Sequence, residues 1–429
     1  MKRFPTHKIN SVPADDEGVS VHDALKLLEG SKYYQDIYDA LGVEHSLDDF
    51  IKIPGAGYLV KRIYADRNNF IKFDIKAQYQ NLKFRHIHDG DKTDPDLEVQ
   101  FTGRTDIRFP TNIAQSVREE IEQDDVRATP RYSAQHDLLN SLFGMFRYSD
   151  ELATKALRHI VLRNLEMLEE AFINEENSHL KHEKWYRLLK DKNGEYHFRA
   201  LVTDQYRDYN IAVSVFITLF AMHRVIKAGE TGFAVKSFNY NESEIDVIFE
   251  DDSEGISVPK VGVVTFQLHL SNSEIAEGAV KLNIISRIVS KVDDKGPEVA
   301  IYFQSKQGPT LTVTSISHGM KPQTAVNSMN LSEKLSKSRG ELQKDIEAIA
   351  SRSPRVILAR FRAKIVHSHT FGVTSKERLL KLLPVELKVD AYHDLLRIMG
   401  DAQEVIGDDD IDVVEHLRNI AYSALTGKQ

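Results

Sequence analysis

Six short segments rich in β-branched residues follow one another between residues 233 and 316, and this run constrains the fold more than any other feature. Gly, Asp, Asn or Pro separates each segment from the next, as at the ends of strands. One helical segment precedes the run, and no regular alternation of strands and helices follows. Because parallel strands need long crossover connections, the sequence predicts an α+β fold with a largely antiparallel central sheet. The predicted strands are Phe233–Phe238, Ile245–Phe249, Val261–Leu270, Val280–Val289, Val299–Gln304 and Leu311–Ile316.

A hairpin and a helix lead into this run. Trp185–Leu189 and Tyr196–Val202 flank Asn193-Gly194, a dipeptide that favours a two-residue turn between antiparallel strands. Asn210 then precedes apolar residues at helical spacing, which is typical of an N-cap. The sequence therefore predicts a hairpin followed by a helix directly before the six strands.

Composition divides the chain into four parts, with helices flanking the sheet and helical additions towards both ends. The parts are a flexible N-terminal arm at 1–20, an N-terminal α+β region at 21–180, a central α+β domain at 181–320 and a C-terminal helical region at 321–429. In the last part, an apolar stripe runs along Leu331–Ile349. The stripe packs on the chain's own core or forms a homo-oligomer interface.

The composition excludes several classes of protein. The chain has 429 residues, a net charge of −8 and no Cys, so disulfides, thiolate metal ligands and cysteine nucleophiles are absent. It contains no phosphate-binding loop and no complete dinucleotide fingerprint, and no apolar run reaches the length of a membrane span. We therefore expect a soluble, cytoplasmic protein with no membrane partner and no bound cofactor.

Two groups of residues are candidates for metal binding. His86-Ile87-His88-Asp89 places two imidazoles on one strand face with a carboxylate beside them, and His86, His88 and Asp89 could hold a divalent ion. The same residues are also typical of a solvated turn. A second group of carboxylates alternates along a strand, as in a two-metal nuclease site or on the wet face of a half-buried strand. Its members are Glu242, Glu244, Asp246 and Glu250.

A basic stretch from residue 351 to residue 381 locally reverses the sign of the charge. It has eight Lys or Arg and a single acid, Glu377. Such stretches bind phosphates by releasing counterions, and only Phe361 and Phe371 are present to stack on bases. The alternative is a solvated face paired with acids elsewhere, such as those between Asp401 and Glu415. The cations are Arg352, Arg355, Arg360, Arg362, Lys364, Lys376, Arg378 and Lys381.

Residues 198–318 resemble, in sequential order, a family of phage- and plasmid-associated proteins with a domain of unknown function. The resemblance rests on Phe198–Asn210, on Ser271-Asn272-Ser273-Glu274 and on Arg287 in the next strand. The chain departs from the family at 290–294, where a Cys-containing turn is missing, and retains only Ser317-His318-Gly319 of a basic element. The resemblance implies a phage or mobile-element protein associated with DNA.

The polar residues of the matched stretch are expected to meet. Ser271–Glu274 suits a turn with Asn272 in the left-handed region, and Glu274 is expected to pair with Arg287. The group is either a functional site or a buried network that fixes the register of the sheet. Its members are Arg199, Tyr206, Asn272, Glu274, Arg287 and His318.

Three functions are compatible with these patterns. The first is a non-enzymatic protein that contacts nucleic acid in DNA replication, recombination or annealing, and it rests on the resemblance and the basic stretch. The second is a metal-dependent nuclease or hydrolase that uses Glu244 and Asp246, or Glu274 with Arg287 and His318. The third is an oligomeric interaction protein with no nucleic-acid role. We favour the first.

Overall fold

The computed structural model describes residues 4–87, 96–143, 182–252, 255–275, 279–290, 299–303, 312–407 and 411–427, with isolated residues between 160 and 170. The helices are α1 (Val21–Leu25), α2 (Tyr34–Leu41), α3 (Ala56–Asp66), α4 (Gln115–Gln123), α5 (Ala134–Phe143), α6 (Ile211–Lys227), α7 (Pro322–Ser328), α8 (Leu331–Ile349), α9 (Pro354–His367), α10 (Val373–Leu382), α11 (Tyr392–Val405) and α12 (Ile411–Thr426).

The strands form two large sheets and a separate two-stranded sheet of β2 and β3. They are β1 (His7–Ile9), β2 (Val19–Ser20), β3 (Phe50–Ile51), β4 (Phe70–Gln78), β5 (Leu82–Ile87), β6 (Asp96–Phe101), β7 (Asp106–Arg108), β8 (Arg127–Pro130), β9 (Glu183–Asp191), β10 (Tyr196–Val202), β11 (Phe233–Tyr240), β12 (Glu244–Asp251), β13 (Ile256–Val258), β14 (Gly262–Ser273), β15 (Val280–Ser290), β16 (Val299–Phe303) and β17 (Thr312–Ile316).

The larger sheet has the order β1-β11-β12-β14-β15-β16, with β13 paired to β14 and β17 paired to β15. All of its described pairs are antiparallel. The six strands predicted from the sequence are its main members, because each is short, β-branched and bounded by turn residues. The α+β fold with a largely antiparallel sheet is confirmed.

The smaller sheet has the order β5-β6-β8-β10-β9-β4-β7. Only β8 and β10 pair in parallel among its described strands. The predicted hairpin is confirmed as β9 and β10, and Gly194 takes a positive φ of 83° in its turn. The hairpin lies in the middle of strands from residues 70–130, so the predicted domain boundary at residue 180 runs through one sheet.

The helix α6 lies at the centre of the core. The side chain of Asn210 accepts the amide of Val213, which confirms the predicted N-cap. Most of its residues are buried, because β14 packs on it together with α1, α3 and α8. Such a helix is apolar around its circumference rather than along one stripe. The N-terminus of α6 is therefore fixed firmly between the sheets and the N-terminal helices.

Two segments differ from the sequence-based expectation. The predicted flexible arm contributes β1, which pairs with β11, and β2, which pairs with β3. The predicted turn at Ser271–Ser273 is wrong, because these residues continue β14 and Asn272 pairs with Ile245. Asn272 is not among the described non-glycine residues with positive φ. Cross-strand pairing outweighs local turn chemistry here, and the turn begins only at Glu274.

Within the described part of the chain, no helix has both the length and the apolar character needed to cross a membrane.

Candidate functional site

A β-bulge aims Arg199 towards the end of the larger sheet. The register between β9 and β10 shifts between Phe198 and Ala200, so Arg199 is the extra residue of the bulge. Its fully buried side chain donates from Nη1 to the Ser243 hydroxyl at 2.8 Å and to Oε2 of Glu274 at 3.2 Å. The bulge therefore connects the smaller sheet to the larger one through a buried ion pair.

Glu274 accepts contacts from three separate elements. Lys72 of β4 places Nζ 2.7 Å from Oε2, the oxygen that Arg199 also contacts. The amide of Ile211 donates to Oε1 at 2.9 Å at the N-terminus of α6. A carboxylate is stabilised there by the positive end of the helix dipole as well as by the two cations. Glu274 itself is fully buried.

Arg187 of β9 holds the backbone of the same turn. Its Nη1 donates to the Glu274 carbonyl at 2.7 Å and to the Tyr206 hydroxyl at 3.0 Å, and that hydroxyl donates to the same carbonyl at 2.9 Å. Its other nitrogens pair with Asp74 at 3.2 Å and Asp208 at 2.8 Å. We call this set the Glu274 network; its members are Lys72, Asp74, Arg187, Arg199, Tyr206, Asp208 and Glu274.

The charges of the network set the pKa values of its carboxyls. Burial alone would raise the pKa of Glu274, but the charges of Lys72 and Arg199 outweigh burial and lower it. Burial would also raise the pKa of Asp208, but the charge of the Arg187 guanidinium outweighs burial and lowers it. At Asp74 burial prevails over Arg187, and the pKa is raised. Glu274 is therefore held as a carboxylate by its partners.

His318 and Asn272 lie at the edge of the network. The His318 ring stacks on Tyr206 with centroids 4.7 Å apart, and its Nδ1 lies 2.9 Å from the Arg207 carbonyl. Burial lowers the pKa of His318. Asn272 donates to the Tyr209 carbonyl at 2.7 Å and to the Ser214 hydroxyl at 3.2 Å. Both residues thus fix the chain that leads into α6.

Arg287 does not join this group, so the predicted pair between Arg287 and Glu274 is wrong. Arg287 lies opposite Thr265 on β14 and opposite Tyr302 on β16. Thr265 precedes Glu274 by nine residues (274 − 265), which separates them by about 30 Å along a strand. The partners that neutralise Glu274 come instead from the smaller sheet.

Sequence reasoning missed Lys72, Arg187 and Asp208. Lys72 stands between apolar residues of a strand and is 202 residues from Glu274, so no local pattern connects the two. Asp208 lies two residues before the predicted N-cap, Asn210, and a polar residue is common at that place whether or not it pairs with a distant cation. The network is closed around Glu274, and its geometry joins the two sheets to α6 rather than exposing a reactive group.

The basic stretch forms two packed helices, α9 and α10. Arg355 contacts a carboxylate, with its Nε 2.5 Å from Oδ1 of Asp390. Three others donate to backbone carbonyls: Arg362 to Leu383, Lys376 to Ser368 and Arg378 to Val405. The guanidinium of Arg352 lies against Gly427.

Three cations of these helices have exposed or half-buried side chains. Among the described residues, Arg360, Lys364 and Lys381 make no hydrogen bond or ion pair. Arg360 and Lys381 are exposed, and Lys364 is half-buried. The two aromatic residues of the stretch are in the core, since Phe361 is fully buried and Phe371 is 5% exposed. In this arrangement neither ring can stack on a base.

Among the described His and carboxylate side chains, one group of three lies close enough together to share an ion: Asp191, Glu195 and His197. Arg131 donates from Nε to Nδ1 of His197 at 3.2 Å, which places the imidazole proton on Nε2, 3.3 Å from Asp191. The other Asp191 oxygen accepts the amides of Asn193 and Glu195 at 2.9 Å. Neither imidazole nitrogen has a free lone pair, so this group stabilises the hairpin turn.

The metal candidates predicted from the sequence are dispersed or outside the described residues. His86 lies in β5, opposite Leu97, whereas His88 and Asp89 fall outside the described residues. In the acidic group, Glu242 accepts the hydroxyls of Tyr132 and Ser243. The other three contact different partners: Glu244 contacts Asn241, Asp246 contacts His269, and Glu250 contacts Lys236.

No family model matches the chain, and neither a curated protein nor a solved structure matches it.

Proposed function

We propose that this protein binds the phosphate backbone of nucleic acid through the solvent-facing cations of α9 and α10, without catalysing a reaction. The central support is the charge of this surface: eight Lys or Arg stand against one acid between residues 351 and 381, in a chain of net charge −8. We call the cations of these two helices the basic face. Clustered cations on one surface are the electrostatic footprint of a nucleic-acid-binding protein.

The disposition of the cations supports a shared surface. Arg360 and Lys364 are one helical turn apart on α9 and lie on the same side of that helix. Arg362 donates to the carbonyl of Leu383 just beyond α10, and Lys381 lies in the last turn of α10. This bond holds the C-terminal end of α10 beside α9, so cations of both helices can contact one phosphate backbone.

The burial of Phe361 and Phe371 defines the mode of binding. Proteins that prefer single strands place aromatic rings on the surface to stack on bases, and neither ring is available here. Contacts from Lys and Arg to phosphates carry no base sequence. We therefore propose binding that is independent of sequence and strongly dependent on salt.

The biological setting follows from the resemblance of residues 198–318 to phage- and plasmid-associated proteins. We propose a role in the host cytoplasm in replication, recombination or annealing of phage or mobile-element DNA. Backbone binding without base recognition suits each of these processes, since all of them act on DNA of any sequence.

The test is a charge reversal with a matched control. The variant Arg360→Glu/Lys364→Glu/Lys381→Glu is compared with Lys52→Glu/Lys61→Glu/Lys83→Glu, which changes the net charge equally on exposed lysines elsewhere. Fluorescence anisotropy with labelled duplex and single-stranded DNA measures affinity between about 50 and 200 mM salt. The logarithm of the binding constant K should fall with the logarithm of the salt concentration. We expect this fall to be shallower in the first variant, with the magnitude of the slope reduced by about 2–3, at about 0.9 per phosphate contact.

Two results would overturn the proposal. One is a wild-type protein without salt-dependent binding to either DNA. The other is an equal loss of binding in both triple variants, which would assign the effect to net charge rather than to the basic face.

A further inference from the structure

We infer that the N-terminal segment at residues 4–18, which we call the arm, docks on a second copy of this chain in the groove that it occupies on its own. The groove lies between the edge of β11 and the N-terminus of α3, and we call it the arm groove. This inference does not depend on the proposed nucleic-acid binding, because neither the arm nor the groove belongs to the basic face.

The first part of the arm adds a strand to the larger sheet. β1 pairs antiparallel with the end of β11, and Lys8 lies opposite Asn239. The rings of His7 and Tyr240 stack with centroids 5.1 Å apart. In the described sheet, β1 is the last strand on this side and β12 lies on the other side of β11. Without β1, the amides and carbonyls at the end of β11 would form an open edge, which accepts an extended strand from any source.

The second part of the arm binds through a carboxylate. Oδ1 of Asp16 accepts the amide of Gly57 at 3.3 Å, and Oδ2 accepts the amide of Tyr58. The carbonyl of Asp16 accepts the amide of Gly55 at 2.9 Å. These amides lie at the N-terminus of α3, where the helix dipole favours a negative charge. The arm groove therefore recognises an extended strand followed by an acidic residue.

The fit of the arm to α3 is close. A Cβ added at Gly57 would lie 2.7 Å from the carbonyl oxygen of Gly18 and 3.0 Å from the carboxylate oxygens of Asp16. Gly57 has a φ in the ordinary helical range rather than the left-handed one, so its backbone does not require glycine. The missing side chain at residue 57 instead makes room for the arm.

The arm is held without being built into the core. None of residues 4–18 is buried, and its apolar anchors Phe4, Ile9 and Val12 are half-buried. The first buried residue of the chain that follows is Val19. Segments with few buried contacts open at a small cost in free energy. The arm can therefore leave its groove without opening the core.

A second copy is the occupant that fits the vacated groove, because it carries an identical arm. An exchanged arm makes the same contacts with β11 and α3 as the arm in place, and reciprocal exchange closes a dimer. Within one chain, a short tether holds the arm at an effective concentration in the mM range. Exchange should therefore increase with protein concentration and with any change that weakens the chain's own arm.

A disulfide between two chains tests the exchange, because the chain has no Cys. Full-length Lys8→Cys is mixed with tagged full-length Asn239→Cys under mild oxidation, and the mixed covalent dimer is measured by non-reducing electrophoresis. The two positions lie opposite each other in the β1–β11 pair, within the reach of a disulfide. We expect more mixed dimer than from the control mixture of Lys83→Cys with Asn239→Cys, since Lys83 is an exposed lysine outside the arm.

Two further substitutions in the Asn239→Cys chain should act in opposite directions. Asp16→Lys loosens that chain's own arm and leaves its groove intact. It should raise the yield of mixed dimer about tenfold, the effect of losing hydrogen bonds to one charged group. Gly57→Ala places a methyl group where the arm crosses α3, and it should lower the yield.

A mixed dimer no more abundant than in the Lys83→Cys mixture would overturn the inference. Equal yields from the Asp16→Lys and Gly57→Ala chains would also overturn it, because the cross-link would then not depend on the groove. If the variants do not fold, light scattering of the wild type up to about 1 mM, near the effective concentration of the tethered arm, decides. A mass that rises towards that of a dimer supports the exchange, and a constant monomer mass contradicts it.

Discussion

The Glu274 network and the basic face use the same residue types in opposite ways. In the network, the buried Arg187 and Arg199 and the half-buried Lys72 contact carboxylates at 2.7–3.2 Å. On the basic face, Arg355 contacts the carboxylate of Asp390, and both of these side chains are exposed. Interior cations are neutralised because unpaired charges cannot be buried, whereas surface cations can be left for a partner.

This contrast separates a structural role from a binding role. Removing one charge from the network leaves its partners buried and uncompensated, so the whole fold should respond. Removing a charge from the basic face leaves water to solvate its neighbours, so only binding should respond.

The largest effect is expected for Glu274→Gln. The substitution leaves Lys72 and Arg199 without their shared carboxylate in the interior and should lower the free energy of unfolding by about 3–5 kcal/mol. Urea denaturation followed by circular dichroism measures it. Glu250→Gln is the matched control, because that carboxylate contacts Lys236 at the surface, and its unfolding midpoint should stay close to that of the wild type. Equal midpoints for the two variants would contradict the structural role.

Acid should reproduce part of this loss. The pKa of Glu274 is lowered below its usual 4.5 in the folded protein, because Lys72 and Arg199 outweigh burial. Its stabilising contribution is therefore complete above about pH 4.5 and is lost as pH falls through the folded pKa. Urea curves from neutral pH to about pH 3 should show the wild type converging on Glu274→Gln. Parallel pH profiles would show that the Glu274 carboxylate is not held ionised by its neighbours.

A smaller effect is expected for Tyr206→Phe. The ring keeps its stack on His318, but the Glu274 carbonyl and Arg187 each lose a hydrogen bond to the hydroxyl. Unfolding should be easier by about 1–3 kcal/mol, the usual cost of buried groups left without a partner. Tyr34→Phe serves as the control for loss of a half-buried hydroxyl, and its urea midpoint should not change. A urea midpoint for Tyr206→Phe as high as that of the control would contradict this prediction.

The two regions also differ in how far the sequence predicts them. The cap at Asn210 and the turn at Asn193-Gly194 were predicted because both depend on neighbouring residues. The basic stretch was also visible in the sequence, since its cations lie within 30 consecutive residues (352–381, counted inclusively). The Lys72–Glu274 contact was not, because its partners are 202 residues apart and meet only when two sheets pack.

The choice of partner for Glu274 shows the physical limit. The sequence favoured Arg287 because it lies on the next strand, but the register of β14 and β15 places Arg287 opposite Thr265. Register depends on the pattern of the whole sheet rather than on any pair of charges. Burial of Phe361 and Phe371 was hidden for a similar reason, since helix packing determines which face is covered.

The smallest effect, and the most direct test of the contrast, is expected for Asp390→Asn. The substitution frees Arg355 from its carboxylate partner while keeping the side-chain shape. Because both side chains are exposed, the urea midpoint should stay at the wild-type value. DNA binding should strengthen at low salt, and the slope of log K against log salt should steepen by up to about 0.9, the contribution of one more phosphate contact. Asp394→Asn, which frees Arg397 on α11, is the control for the same charge change off the basic face. Unchanged DNA affinity in Asp390→Asn, or an equal gain in both variants, would mean that Arg355 does not belong to the surface that contacts phosphate.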